Sequence, residues 1–229
     1  MITHLASADG GQTWDNAFAK SILPSLLDGL WTTIQITLLG MAIALVLGLL
    51  VAVIRRSRIP VLSQLFGFYV QFVRGTPLLI QAFFAFYALP AYGVKFSAFV
   101  TGVVVIGVNY SAYTAEVYRA GIEDVPAGQW EAATALSLPM GRTWGRIVLP
   151  QAFRSVTPVL GNYLIQMFKD SAVLFAITVY ELMGHVQAIG SDSYRYLEPT
   201  TIAAAMYLVV SLISSQFVRL LERRLVLNR

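Results

Sequence analysis

From Leu30 to Ile54 the chain runs without a charged residue. A hydrocarbon layer about 30 Å thick is crossed by about 20 apolar residues in helix, so this stretch commits the chain to a bilayer. In lipid every backbone N–H and C=O must be paired internally, which a single apolar run achieves only as a helix. Composition points the same way. The 229 residues are 57% hydrophobic and 12% charged, against about 45–50% and about 25% in a soluble domain, and the mean hydropathy is +0.67.

Four more apolar runs follow. Val61 to Ala91 is too long for one straight crossing, at about 46 Å for 1.5 Å per residue. Its middle reads Arg74-Gly75-Thr76-Pro77, and a proline there breaks the helix, which predicts a shorter helix, a bend near Pro77 and a second piece to about Leu89. Phe96 to Val117 is the third span. Ala152 to Val179 is the fourth, interrupted at Lys169-Asp170, and Thr200 to Leu221 is the fifth. The expected class is an all-α integral membrane protein with five transmembrane helices.

Five spans put the termini on opposite sides, and lysines and arginines beside the membrane mark the cytoplasmic face. With the N-terminus outside, Arg55, Arg56, Arg58, Arg119, Arg142, Arg146, Arg154, Arg219, Arg223, Arg224 and Arg229 fall inside. Only Lys20, Lys95 and Arg195 fall outside. The layout is therefore an external N-terminal segment (1–25), a membrane-spanning body (26–225) and a cytoplasmic tail (226–229). Residues 1 to 20 carry Asp9 and Asp15 and lack a basic start before an apolar core, so they are not read as a cleavable signal peptide. The net charge of +4 comes from arginines beside apolar runs, which speaks against nucleic acid as a partner. There is no cysteine, which excludes disulfides and thiolate chemistry.

Between the third and fourth spans stands a polar, twice-interrupted cytoplasmic segment, residues 124–150, far longer than a connection needs. Asp124-Val125-Pro126 is a helix start. Gln129 to Leu138 forms one short helix, and Pro139 stops it and opens a second that ends before Pro150. Trp130, Ala133 and Leu136, or Ala133 and Ser137, share a face of the first helix. The small side chains of Ala132, Ala133 and Ala135 let another surface approach, and such a helix fits a partner's groove or packs on its own chain's helix ends.

Charges inside spans mark ion pairs or a water-filled path. Arg74 and Glu116 can each hold helices together in an ion pair. Lys169 and Asp170 point about 100° apart, so one can meet solute while the other pairs between helices. Asn162, Gln166 and Lys169 or Asp170 recur at helical spacing as a polar stripe, with Asn109 and Tyr110 as further pathway candidates. His185 stands without a second histidine nearby and reads as structural or surface, with no metal site, and His4 belongs to a loose tail. Tyrosines and tryptophans near the span ends read as interface anchors.

The segment Glu131-Ala132-Ala133, with Ser137, Leu138-Pro139, Ile147 and Leu149-Pro150, resembles the EAA loop of ABC importer permeases, departing only where Ser137 replaces the family's glycine. Serine is small and can cap a following helix, so the turn survives. Arg74-Gly75-Thr76-Pro77-Leu78, Ser111-Ala112-Tyr113-Thr114-Ala115-Glu116, Val125-Pro126-Ala127-Gly128-Gln129 and Lys169-Asp170-Ser171 are similar to the polar amino-acid branch of that family.

That resemblance implies a type I ABC importer fold in the bacterial cytoplasmic membrane, paired with a second, identical or sister permease. It implies a coupling helix seated in a separate ATPase subunit that binds ATP and magnesium, and an external solute-binding protein. It makes Glu131, Ala132, Ala133, Ser137, Leu138 and Pro139 the coupling residues, and Arg74, Gly75, Thr76 and Pro77 a structural break. Asn162, Gln166, Lys169, Asp170, Glu116 and Tyr110 are the candidate pathway. The solute it implies is a polar amino acid, while Arg195-Tyr196-Leu197-Glu198-Pro199 also resembles permeases for ectoine-type solutes. The chain has no GxxxxGK[ST] stretch, so ATP-driven transport needs another chain, and no cofactor is expected on this one. The competing class is an autonomous channel or ion-coupled carrier, against which the lack of an internal repeat speaks. No catalytic constellation is present that would make the chain an enzyme.

Overall fold

The computed structural model describes residues 13–57 and 59–226, and every regular element among them is helical. Residues 1–12, with Asp9 and His4, the basic Arg58, and the tail residues 227–229 with Arg229 lie outside the described residues.

The first helix, α1 (Asn16–Arg55), is 40 residues long and starts well before the apolar run. Asp15 explains the early start: its carboxylate accepts from the backbone N–H of Ala17 at 2.8 Å and of Phe18 at 3.2 Å, which satisfies two of the donors a helix start leaves orphaned. Next come α2 (Pro60–Gly75) and α3 (Leu78–Phe83), the latter prolonged by a π turn (Phe84–Ala88) and a 3-10 turn (Leu89–Tyr92). The two pieces meet at 106°, which bears out the break expected at Pro77. The helix α4 (Ala98–Glu123) starts at Ser97, whose hydroxyl accepts from Val100 N–H.

The polar segment after α4 folds as α5 (Ala127–Ala135) and α6 (Met140–Thr143), the second running through a π turn (Trp144–Val148) into α7 (Leu149–Asp170). The stop expected before Pro150 is absent. In the π turn the Leu149 N–H reaches back to the Trp144 carbonyl, and the widened ladder takes in a proline that has no N–H to offer at the next position. At Asp170 the α-helix tightens into a 3-10 turn (Ser171–Ile177), at the interruption expected from Lys169-Asp170.

Two helices complete the chain: α8 (Leu182–Ser193), which the hydropathy pattern did not foretell, and α9 (Leu197–Val226). Three helices, α1, α4 and α9, are long and apolar enough to cross a membrane; the bent pairs α2–α3 and α7–α8, the second bent by 47°, bring the number to as many as five.

The core is α4, enclosed by α1, α2 and α7. The approach of α1 to α4 is close because it must be: a Cβ on Gly48 would lie 1.9 Å from Thr114 Oγ1, and Thr114 Oγ1 donates to the Ala44 carbonyl at 2.7 Å. Small residues at the contact and a hydroxyl across it are how helices associate where lipid offers no hydrophobic drive. Beside the N-terminal half of α1, Glu181 is fully buried. It accepts from Gly184 N–H at 2.8 Å, Tyr207 OH at 2.9 Å and Thr33 Oγ1 at 3.3 Å, tying α8 to α1 and α9. Ser25 and His185 Nδ1 meet at 2.8 Å beside them, so His185 has the structural place expected of it. Arg195 pairs with the buried Glu198 and donates to the Thr13 carbonyl, holding the start of the described chain against α9.

Candidate functional site

Two regions hold the residues singled out by sequence. The first is the break in α2–α3 with the faces of α4 and α7 opposite it. Arg74 lies in the last turn of α2, and its guanidinium lies 5.3 Å from the Tyr113 ring centroid. Tyr110, Tyr113 and Tyr163 form a triangle with centroids 5.8, 5.9 and 6.0 Å apart. Tyr110 OH donates to Asp170 Oδ2 at 2.5 Å. A cation and a carboxylate thus flank one aromatic trio, on elements that only the fold brings together. Among the described residues Arg74 makes no ion pair, so the helix-holding pair expected of it is replaced by a contact with an aromatic face, a favourable placement for arginine.

Glu116 does hold helices together. Its carboxylate pairs with Arg55 at the end of α1 and, at 2.8 Å, with Arg119. It also lines a cleft of about 620 Å³ with Arg74, Arg119, Asp124 and Ser155. On α7 the side chains of Asn162, Gln166 and Lys169 are exposed along one stripe, while Asp170 is half-buried against Tyr110. The adjacent pair Lys169-Asp170 is therefore split between surface and interior, as its 100° offset requires.

Gln81 was not singled out by sequence. It lies one turn beyond Pro77, and its Nε2 reaches the Thr76 Oγ1 at 2.7 Å, the Val73 carbonyl at 2.8 Å and the Thr76 carbonyl at 3.1 Å. Asn109 Nδ2 donates to its Oε1 at 3.1 Å. The signal was a lone amide in an apolar stretch directly after a proline break.

The second region is the α5–α6 corner. Ser137 has φ +51°, the left-handed conformation for which glycine is suited. The Leu138 N–H bonds the Ala133 carbonyl at 3.0 Å and the Ser137 N–H bonds the Thr134 carbonyl at 2.9 Å, which is the Schellman arrangement at a helix C-terminus. Ser137 therefore closes α5; the following helix opens on Pro139 without a side-chain cap. Ala133 is buried and Trp130 packs edge-on against Trp144 at 5.4 Å. The Trp130–Ala133 side thus faces its own chain, while Glu131, Ala132, Ala135, Ser137 and Pro139 are exposed and Leu138 is half-buried. Leu136 and Met140 are the conspicuous outward groups, at 72% and 69% exposure. The corner is fastened to the body by Arg56, which sits 5.2 Å from the Trp144 ring, and by Ser155, which donates to Asp124 at 2.9 Å.

Known proteins resemble most of the chain. The family profile described as "binding-protein-dependent transport system inner membrane component" matches residues 40–227. A probable amino-acid ABC transporter permease of Sinorhizobium fredii is 44% identical over 217 residues, covering 93% of this chain and 94% of the relative. An L-cystine transport system permease of Bacillus subtilis is 37% identical, covering 93% and 91%. The fold matches a crystal structure described as an amino acid ABC transporter with histidines, with a TM-score of 0.88, 36% identity and coverage of 93% and 99%. It also matches an inward-facing methionine ABC transporter, with a TM-score of 0.73 at 19% identity and coverage of 90% and 98%.

Proposed function

Because this chain belongs to the binding-protein-dependent transport system inner membrane component family and is the permease subunit of an ABC importer, we propose that it carries a polar amino acid or a similar zwitterion inward by alternating access. The observation that carries this reading is the aromatic trio flanked by Arg74 and Asp170. A zwitterion leaves water only where groups of opposite charge replace its hydration. Arg74 faces the solute carboxylate, Asp170 and the tyrosine faces take the ammonium, and Asn162, Gln166 and Lys169 line the approach. Glu116 serves the inner cleft and the α1–α4 clamp.

In this reading the chain lies in a bacterial cytoplasmic membrane as five spans, N-terminus outside and C-terminus inside, with its arginines on the inner face. It pairs with a second permease, identical or sister. A solute-binding protein docks outside, and a separate ATPase pair, with its ATP and magnesium, docks at the α5–α6 corner. Glu131, Ala132, Ser137, Leu138 and Pro139 frame that contact, Ala133 supports it from beneath, and Leu136 and Met140 enter the ATPase groove. What supports this is a pair of large apolar side chains exposed on a short polar segment outside the spans. ATP-driven closure then biases two states of the permease by differential binding.

Reconstitution decides between this importer and an autonomous carrier. Vesicles holding the permease and its ATPase should accumulate labelled L-histidine, L-arginine or L-glutamine only with ATP and binding protein. Accumulation by the permease alone would overturn the importer reading. Arg74→Gln should raise the half-saturation concentration, and unchanged kinetics would remove Arg74 from the solute site.

A further inference from the structure

We propose that Gln81 is a positioning residue for solute capture: its carboxamide latches the broken α2–α3 span to α4 and thereby sets where Arg74 stands. The proposal rests on the reading of Arg74 as the carboxylate partner.

Breaking a helix inside a membrane exposes the last carbonyls of one piece and the first N–H groups of the next. No water is available in hydrocarbon to pair them. At this break the N–H groups of Ile80 and Gln81 turn onto the Pro77 carbonyl at 3.0 and 3.2 Å. Thr76 Oγ1 donates to the Phe72 carbonyl at 3.0 Å. The Val73 and Thr76 carbonyls face Gln81 Nε2. These two carbonyls bracket Arg74 and Gly75 in the chain, so one side chain holds the backbone on both sides of the arginine. Its remaining atom, Oε1, is held in turn by Asn109 on α4, the helix that also presents Tyr110 and Tyr113. The latch therefore places Arg74 and its aromatic partner in one frame.

Steric packing holds the flanks, where Val73 shares a buried cluster with Ala112 and Ala115 of α4 and Leu78 packs on the core, but leaves the apex free. A Cβ added to Gly75 would meet nothing within 4 Å. A cavity of about 470 Å³ lies against the corner, walled by Phe72, Val73, Ile80, Phe84, Val104 and Val108. A bend with open space beside it and a bare glycine at its apex is fixed by its polar bonds, and these are bonds a conformational change can exchange.

The test uses the full complex of permease, ATPase and binding protein, with L-histidine, L-arginine and L-glutamine as probes. Gln81→Leu should raise the half-saturation concentration for uptake roughly tenfold, the effect of about one lost hydrogen bond to a charged group. The double variant with Arg74→Gln should show no further rise, because both changes remove the same interaction. The natural absence of cysteine permits spin labels at Phe68→Cys and Tyr87→Cys, both exposed, to report the bend directly. The distance distribution should broaden in Gln81→Leu. Unchanged half-saturation with unchanged width overturns the latch, as does a Gln81→Leu chain that no longer copurifies with the ATPase, which would make Gln81 a purely structural brace. If Arg74→Gln alone leaves uptake unchanged, the solute-site reading falls, and the label distances still decide whether Gln81 sets the bend.

Discussion

Two corners of the described chain, at Arg74–Pro77 and at Leu136–Pro139, are repaired in opposite ways. At Arg74–Pro77, between segments of a membrane-crossing pair, side chains from three elements restore the lost backbone bonds: Thr76, Gln81 and, behind them, Asn109. At Leu136–Pro139, in the polar segment between α4 and α7, the backbone repairs itself with two turn-closing bonds and a serine bent into the left-handed region. Solvent explains the contrast. In hydrocarbon an unpaired carbonyl costs several kcal/mol, and the Phe72, Val73, Thr76 and Pro77 carbonyls at this break each meet a donor. The second corner lies on a polar segment outside the long apolar helices, closes its own backbone bonds and turns Leu136 and Met140 outward.

Four variants would break or sharpen that comparison. Gln81→Leu strips the membrane corner of its donor and leaves buried carbonyls unpaired, which should destabilise the complex by about 2 kcal/mol; the check is the thermal unfolding of the purified complex in lipid. Ser137→Val puts a β-branched residue at φ +51° and should cost about 1–2 kcal/mol, seen as faster amide exchange confined to α5 and α6. Ser137→Gly should do the reverse, stabilising by about 0.5–1 kcal/mol as the strain is relieved. Leu136→Ser with Met140→Ser, both at exposed positions, should change stability by less than about 0.5 kcal/mol. The same pair should nonetheless abolish solute-stimulated ATP hydrolysis, and wild-type stimulation would show that no partner rests there.

How much of this could be read from the sequence depended on whether a residue's neighbours were local. The break at Pro77 and the interruption at Asp170 were legible, because proline, glycine and adjacent charges act on their own turn of helix. So was the stripe of Asn162, Gln166 and Lys169, a matter of spacing alone. Pro150 was misread as a stop, since a proline at the start of a helical stretch and one that ends a helix carry the same letter; only the π turn before it separates the cases. The apolar side of α5 was visible as a side, but periodicity does not say what covers it, and Trp144 and Val148 do. Gln81, Tyr163 and Glu181 were missed because their partners stand on other helices. Ser137 shows the middle case: the likeness to the family located the turn, and the backbone angle showed that the serine adopts the glycine's conformation rather than replacing it with a cap.

The long α1 helix has a mechanical consequence. From Ser25 to Arg55 it spans about 45 Å at 1.5 Å per residue. It is pinned near one end by His185 and Glu181 and at the other by Glu116. A strut fixed at both ends does not absorb displacement; it relays it. A tilt of about 5° at the Glu116 pin moves the Ser25 pin by about 4 Å over that length. The start of α8 and the C-terminal end of α4 are thus geared together, and the stiffness of one helix sets the ratio.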